Sequence, residues 1–245
     1  MEHIEKLAED IAASGIKHVF GIPGSGPSLT LIDYLEKLNV EFCLTHFEGT
    51  APIIAGTIAK LNGSTGVAIS IKGPGLANMV PGLASCFLES MPVVAISEAY
   101  APDTPYFKAH KRLDHKKLTY SVVKESRSLS DIGSDFKTLA DLAQAEIPGP
   151  VHLDVSNSSV KTDSNVDGLD PLPPKTFNET KFFEILSYSK EPVIIAGTLA
   201  VRKGWSEWLN KLSIPVFSVA AAKGVVDETL KHSAGVYTGA GLELS

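Results

Sequence analysis

"VAISIKGPGLANMVPGLASCFLESMPVVAISE", residues 67–98, decides the fold. Its two ends are short runs of Val, Ala and Ile, apolar enough to be covered on both faces, as strands of a parallel sheet are. Between them "KGPG" turns into "LANMVPGLASCFLES", which reads as a helix. Two parallel strands joined through a helix form the unit of an α/β sheet with helices on both sides.

The same alternation extends in both directions. Upstream lie an amphipathic helix over about 2–14 ended by Gly15, the strand "KHVFGI", and the turn "GIPGSGP" at 21–27. The helix "SLTLIDYLEKL" follows, with Leu29, Ile32, Leu35 and Leu38 at helical spacing, and then the strand "VEFCLT". "THFEGTAPIIAGTIAKLNG", residues 45–63, sets Glu48 at the mouth of an apolar helix whose face is read as Ala51, Ile54, Ala55, Ile58 and Leu61. Downstream, after a polar stretch, come the helix "SDFKTLADLAQAEI" and the strand "GPVHLDV". The unusual turns at 21–27, 45–49 and 72–75 all follow strands. They should therefore gather at the carboxyl edge of the sheet, where α/β sheets bind ligands.

Residues 156–178, rich in Ser, Asn, Asp and Pro and without periodicity, read as a linker. The expected organisation is a domain over 1–156, a linker over 157–178 and an incomplete second α/β domain over 179–245. The second unit contains "ETKFFEILSYS", "PVIIAG", "GWSEWLNKL" and "IPVFSV", too little to cover both faces of its own sheet. The chain is expected to stop partway through it.

Bulk properties exclude several classes. With 44% hydrophobic and 20% charged residues the chain suits a globular core. A formal charge of −6 argues against a nucleic-acid partner, and the basic cluster "KAHKRLDHKK" at 108–117 reads as a solvated loop. Cys43 and Cys86, both in apolar surroundings, read as buried free thiols. No signal peptide or membrane span is seen, so cytoplasm is the default. No set of side chains has metal-ligand spacing.

"GIKHVFGIPGSGPSLTLIDYL", "THFEGTAPIIAGTIAKLNG" and residues 67–98, in that order, resemble the N-terminal pyrimidine-binding domain of thiamine-diphosphate enzymes. The nearest pattern is that of the acetolactate synthase, pyruvate oxidase and 2-oxoacid decarboxylase group. The similarity covers roughly 1–156, and "PVIIAG…IPVFSVAAAKGVVDE…AGVYTG" resembles the start of that family's central domain. The resemblance implies that Glu48 is the catalytic glutamate, hydrogen-bonded to the N1′ nitrogen of the cofactor's aminopyrimidine. A proton supplied there favours the imino form at the 4′ nitrogen, which then takes the C2 proton. Such a carboxyl needs an apolar pocket to keep its proton near neutral pH, against the weaker pull of the helix N-terminus.

By the same resemblance Pro23, Gly24, Gly73, Pro74, Gly75 and Asn78 border the cofactor, the glycines letting backbone approach the ring. His110 and His115 are candidates for proton relay or for meeting a substrate carboxylate. There are departures. Phe47 stands where the family often has His before the glutamate, and His110 and Lys111 stand where synthase-like members carry Phe-Gln.

The family's diphosphate and Mg²⁺ site, marked by Gly-Asp-Gly, belongs to a third domain, and no Gly-Asp-Gly occurs here. The resemblance thus implies contact with the aminopyrimidine end of thiamine diphosphate only. Mg²⁺ and the diphosphate would be held by a C-terminal domain in a longer chain or by a separate subunit, within a homodimer or larger oligomer. The polypeptide alone is expected to be inactive. FAD dependence and the particular 2-oxoacid are not written in these residues. Two other readings stand beside this one: a non-catalytic regulatory or assembly subunit on the same fold, and a nucleotide-binding α/β module. Against the second, Pro23 removes an N–H that a phosphate loop would use.

Overall fold

The computed structural model describes residues 2–101, 104–105, 108–129, 135–157 and 178–239. The chain divides into two compact units, Met1–Pro173 and Pro174–Ser245. Apart from its two end residues, the linker read over 157–178 lies outside the described residues.

In the first unit the elements run α1 (Glu2–Ala13), β1 (His18–Ile22), α2 (Pro27–Lys37), β2 (Glu41–Leu44), α3 (Thr50–Asn62), β3 (Gly66–Ser70), α4 (Pro74–Leu88) and β4 (Val93–Glu98). They continue with α5 (His115–Thr119), β5 (Ser126–Ser128), α6 (Asp135–Gln144) and β6 (Val151–Val155). The six strands form one sheet in the order β2-β1-β3-β4-β6-β5, with every neighbouring pair parallel. Every residue of β3 and β4 is buried, as an interior parallel strand requires.

Alternation along the strands separates two cores. Val67, Ile69, Val94 and Ile96 pack with Ile4, Leu7, Leu31, Leu35 and Phe136 from α1, α2 and α6. Ala68 and Ala95 point the other way, toward Ala51, Ala55, Leu76, Met79 and Leu83 of α3 and α4. Small residues on the second face let α3 and α4 press close to the sheet and to each other. A Cβ on Gly82 would stand 2.1 Å from the Gly49 carbonyl oxygen and 2.7 Å from Pro52 Cγ.

That close approach corrects two helix faces read from periodicity. The buried face of α3 is Ala51, Pro52, Ala55, Gly56 and Ala59, while Ile58 is 38% and Leu61 80% exposed. Hydrophobicity alone selected the larger side chains, but the close α3–α4 contact admits only the small ones. In α2 the buried residues are Pro27, Ser28, Leu31, Ile32 and Leu35, with Leu29 and Leu38 outside. Both cysteines are free. Cys86 is buried, which pushes its thiol up to about 12, whereas Cys43 is only half-buried.

The second unit carries α7 (Glu179–Tyr188), β7 (Ile194–Ala196), α8 (Thr198–Arg202), α9 (Ser206–Asn210), β8 (Val216–Val219) and β9 (Ser233–Tyr237). Its parallel sheet has the order β7-β8-β9 around a small core of Ala196, Ala200, Leu209, Val216, Ala222, Val225 and Val226. The helix read over "GWSEWLNKL" is shorter, and no residue of α7 is buried. Among the described residues, no helix is long and apolar enough to cross a membrane.

The α3–α4 contact sets the first expected outcome. Gly82→Ala should lower stability by about 2 kcal/mol through overpacking, read as a lower urea midpoint. An unchanged midpoint would contradict the close approach.

Candidate active site

Three turns meet at the carboxyl edge of the first sheet. Phe47 to Gly49 form a turn ahead of α3, and Glu48 there is half-buried. Asn78 Nδ2, from the first turns of α4, donates to Glu48 Oε2 at 3.2 Å. The other oxygen faces backbone, since a Cβ on Gly75 would lie 3.6 Å from Glu48 Oε1. The structure thus brings Glu48, Gly75 and Asn78 together. Gly73 and Pro74 enter the same helix, with Gly73 at φ +63, a backbone conformation that favours glycine.

The loop carrying Pro23 and Gly24 joins this edge through a residue that the sequence reading missed. Glu98, the last residue of β4, is 1% exposed. Its Oε1 accepts from Gly26 N at 3.0 Å, Ser28 N at 3.3 Å and Ser28 Oγ at 2.6 Å, and its Oε2 pairs with Lys72 Nζ at 2.6 Å. Gly24 lies directly over this carboxylate, where a Cβ would fall 2.3 Å from Oε2. Burial by itself pushes the Glu98 carboxyl up. The hydrogen bonds from Lys72 and Ser28, the Lys72 charge and the Gly26 N–H outweigh it and hold the group below its usual range. The signal was present in the sequence: Lys72 and Glu98 end adjacent apolar runs, so parallel register sets the two charges side by side.

A second polar network fixes the 72–75 turn from below. Gly73 N donates to His115 Nε2 at 2.9 Å, so the ring proton sits on Nδ1, which donates to Asp154 Oδ1 at 2.6 Å. Ser97 Oγ donates to the same oxygen at 2.8 Å and lies 2.7 Å from His152 Nε2, while Ser126 Oγ lies 2.7 Å from His152 Nδ1. His115, His152 and Asp154 have ligand atoms close enough together to suggest a metal site. Every ring nitrogen already has a hydrogen-bond partner, however, and the trio is accounted for as a hydrogen-bonded chain. His115 is buried within it. His110 is exposed, its Nδ1 3.1 Å from Tyr100 Oη.

The basic stretch read as a solvated loop is therefore partly structural. His115 begins α5, Asp114 caps that helix by accepting from Lys117 N at 3.0 Å, and Arg112 donates to the carbonyls of Thr104 and Ala101. Most of the 131–135 stretch, weighed as a diphosphate motif and rejected, lies outside the described residues.

A doubly covered parallel sheet whose turns present a carboxylate beside open glycine backbone defines a ligand-binding α/β domain. Residues 1–117 match the family model described as thiamine pyrophosphate enzyme, N-terminal TPP binding domain. The chain is 28% identical over 248 residues to a probable acetolactate synthase large subunit from Methanocaldococcus jannaschii, covering 93% of this chain and 42% of that protein. It is 26% identical over 251 residues to the acetolactate synthase isozyme 3 large subunit of Escherichia coli, covering 95% of this chain and 44% of that protein. With the isozyme 2 large subunit of the same organism, identity is 34% over 158 residues, 63% of this chain and 29% of the relative. Residues 1–117 carry the N-terminal TPP binding domain of the thiamine pyrophosphate enzymes, and the longer similarity is to acetolactate synthase large subunits. It spans about two fifths of the length of the relatives that cover most of it.

Both networks have expected consequences. Glu98→Gln leaves the largely covered Lys72 without a counter-charge and should cost about 3 kcal/mol in urea unfolding. Loss of less than about 1 kcal/mol would contradict the pairing. Burial pushes His152 down to about 4, with Asp154 opposing and His115 adding to it. The unfolded chain protonates this histidine near 6.5, and the folded chain resists down to about 4. The His152 contribution is thus complete above pH 6.5 and declines as pH falls toward 4, by about 1.4 kcal/mol per pH unit. Below pH 4.5 the lowered Glu98 carboxyl adds to the loss in the same direction. Unfolding midpoints that stay flat between pH 7 and 5 would contradict the His152 assignment.

Proposed function

We propose that this chain is the pyrimidine-binding portion of a thiamine-diphosphate-dependent enzyme acting on 2-oxoacids, of acetolactate-synthase-like character. Glu48 is the residue that acts on the cofactor's aminopyrimidine. The observation that carries this reading is the Glu48 carboxyl held by Asn78 on one oxygen and set against the Gly75 backbone on the other. No side chain at residue 75 crowds that oxygen, so a flat ring with a nitrogen at its edge can approach the carboxyl over bare backbone. The residues present suit the aminopyrimidine end of the cofactor.

When bound, thiamine diphosphate supplies the carbanion-stabilising chemistry that a protein side chain lacks. Glu48 holds or moves a proton at the ring nitrogen, and Asn78 fixes the carboxyl's orientation. Gly73, Pro74 and Gly75 supply close backbone. Pro23 and Gly24 shape the neighbouring wall, with Glu98 beneath Gly24. His115 serves this site as a positioning residue, through its bond to Gly73 N.

We read Met1–Pro173 as the catalytic half-site and Pro174–Ser245 as the opening portion of a further α/β domain. The exposed apolar residues of α7 support that reading, since Phe183 and Ile185 are more than half exposed. The diphosphate and Mg²⁺ then fall to a domain or subunit beyond these residues, and the chain alone is inactive. The relatives' printed names, as acetolactate synthase large subunits, support an assembly of more than one polypeptide.

In the assembled enzyme Glu48→Gln should slow hydrogen–deuterium exchange at the cofactor C2 by about 10²- to 10³-fold, the range of a lost proton-transfer group. NMR of quenched samples measures this directly. An exchange rate equal to wild type would remove Glu48 from the mechanism.

A further inference from the structure

Next to the same turn, at Lys72 and Gly73, opens a cleft of about 190 Å³ lined mainly by Lys72, Tyr100, Lys111, Arg112, His115 and Asp154. Its charge is unbalanced. The one carboxylate, Asp154, is engaged by His115 and Ser97. Lys72 is matched by Glu98 behind the wall. Lys111 and Arg112 have no carboxylate partner among the described residues.

Arg112 is held rather than splayed into water, while Lys111 is exposed at the mouth of the cleft. The Arg112 guanidinium donates to the carbonyls of Thr104 at 2.9 Å and Ala101 at 3.2 Å and stands 5.6 Å from the Tyr100 ring centroid. Those bonds fix its plane without cancelling its charge. Lys72 Nζ shares the same ring at 5.3 Å. Lys111 has φ +67, a left-handed conformation that non-glycine residues rarely adopt. Its carbonyl packs against Gly73, where a Cβ would stand 1.9 Å from it. Two like charges on one cleft lining repel, and an anion between them relieves the repulsion.

We propose that this cleft binds a compact oxyanion, a carboxylate, phosphate or sulfonate, through Lys111 and Arg112. A guanidinium fork and a lysine side chain lining one cleft suit the paired oxygens of such a group, and the volume admits a small molecule only. The anion is either the acid group of a 2-oxoacid reacting at the adjoining Glu48 turn or a free inorganic oxyanion. Only the first source rests on the function proposed above.

The test is calorimetric titration of the full 245-residue chain with inorganic phosphate at low ionic strength. Wild type binds, and Lys111→Asn weakens binding about tenfold, the effect of one charge-assisted hydrogen bond. Asparagine tolerates the positive φ, so the turn survives the change. Lys111→Arg retains affinity, and so does Glu48→Gln, which separates this site from the catalytic proposal. Competition by pyruvate or oxaloacetate supports the site and assigns the anion to substrate. Phosphate binding that ignores both 2-oxoacids supports the site and assigns it to a free oxyanion. Absence of binding by phosphate and by both 2-oxoacids overturns the proposal, as does equal binding by wild type and Lys111→Asn, whatever Glu48→Gln does to C2 exchange.

Discussion

A single buried carboxylate organises the functional edge of this molecule. Glu98 ends β4 in a place without water and is bonded to the loop after β1 and to the turn after β3. Desolvating a charge there is expensive, and only a nearly complete set of partners offsets it. The set is complete only when the 22–28 loop and Lys72 both occupy their native positions. Three strand ends are thereby tied to one point, and Gly75 takes its place opposite Glu48 as a consequence.

Beneath that point the chain through Gly73, His115, Asp154, Ser97, His152 and Ser126 reaches across β4, β6 and β5. Donors and acceptors alternate along it without a gap, so it imposes one proton arrangement and one geometry. The rest of the interior is apolar and asymmetric. The α1–α2–α6 side is filled by Ile, Leu, Val and Phe, while on the α3–α4 side alanines of α3 meet Leu76, Met79 and Leu83 of α4. The site thus sits where the close α3–α4 approach meets a polar hydrogen-bonded floor.

Much of this was legible in the sequence. The strands "VAISI" and "PVVAISE" declare themselves because a parallel strand covered on both faces must be apolar throughout. The glycine turns announced the functional edge because each follows a strand. What stayed hidden depends on contacts rather than composition. Ser126–Ser128, a three-residue polar strand at the sheet edge, carries no hydrophobic signal. The true face of α3 is its alanine stripe, chosen by how closely Gly49 and Gly82 meet. His115 looked like one of several loop histidines and is a buried bracket for Gly73, while the burial of Glu98 depends on the loop and lysine that close over its strand end.

The contact between the Lys111 carbonyl and Gly73 separates two jobs within one residue. Its main chain closes over the glycine turn, and its side chain is free to differ. Descendants of such a chain can therefore exchange the residue-111 side chain for another that accepts positive φ and retune what enters the cleft. They need not rebuild the neighbouring turn. Diversification of ligand preference is thus cheap at 111, whereas any side chain at 73 is forbidden.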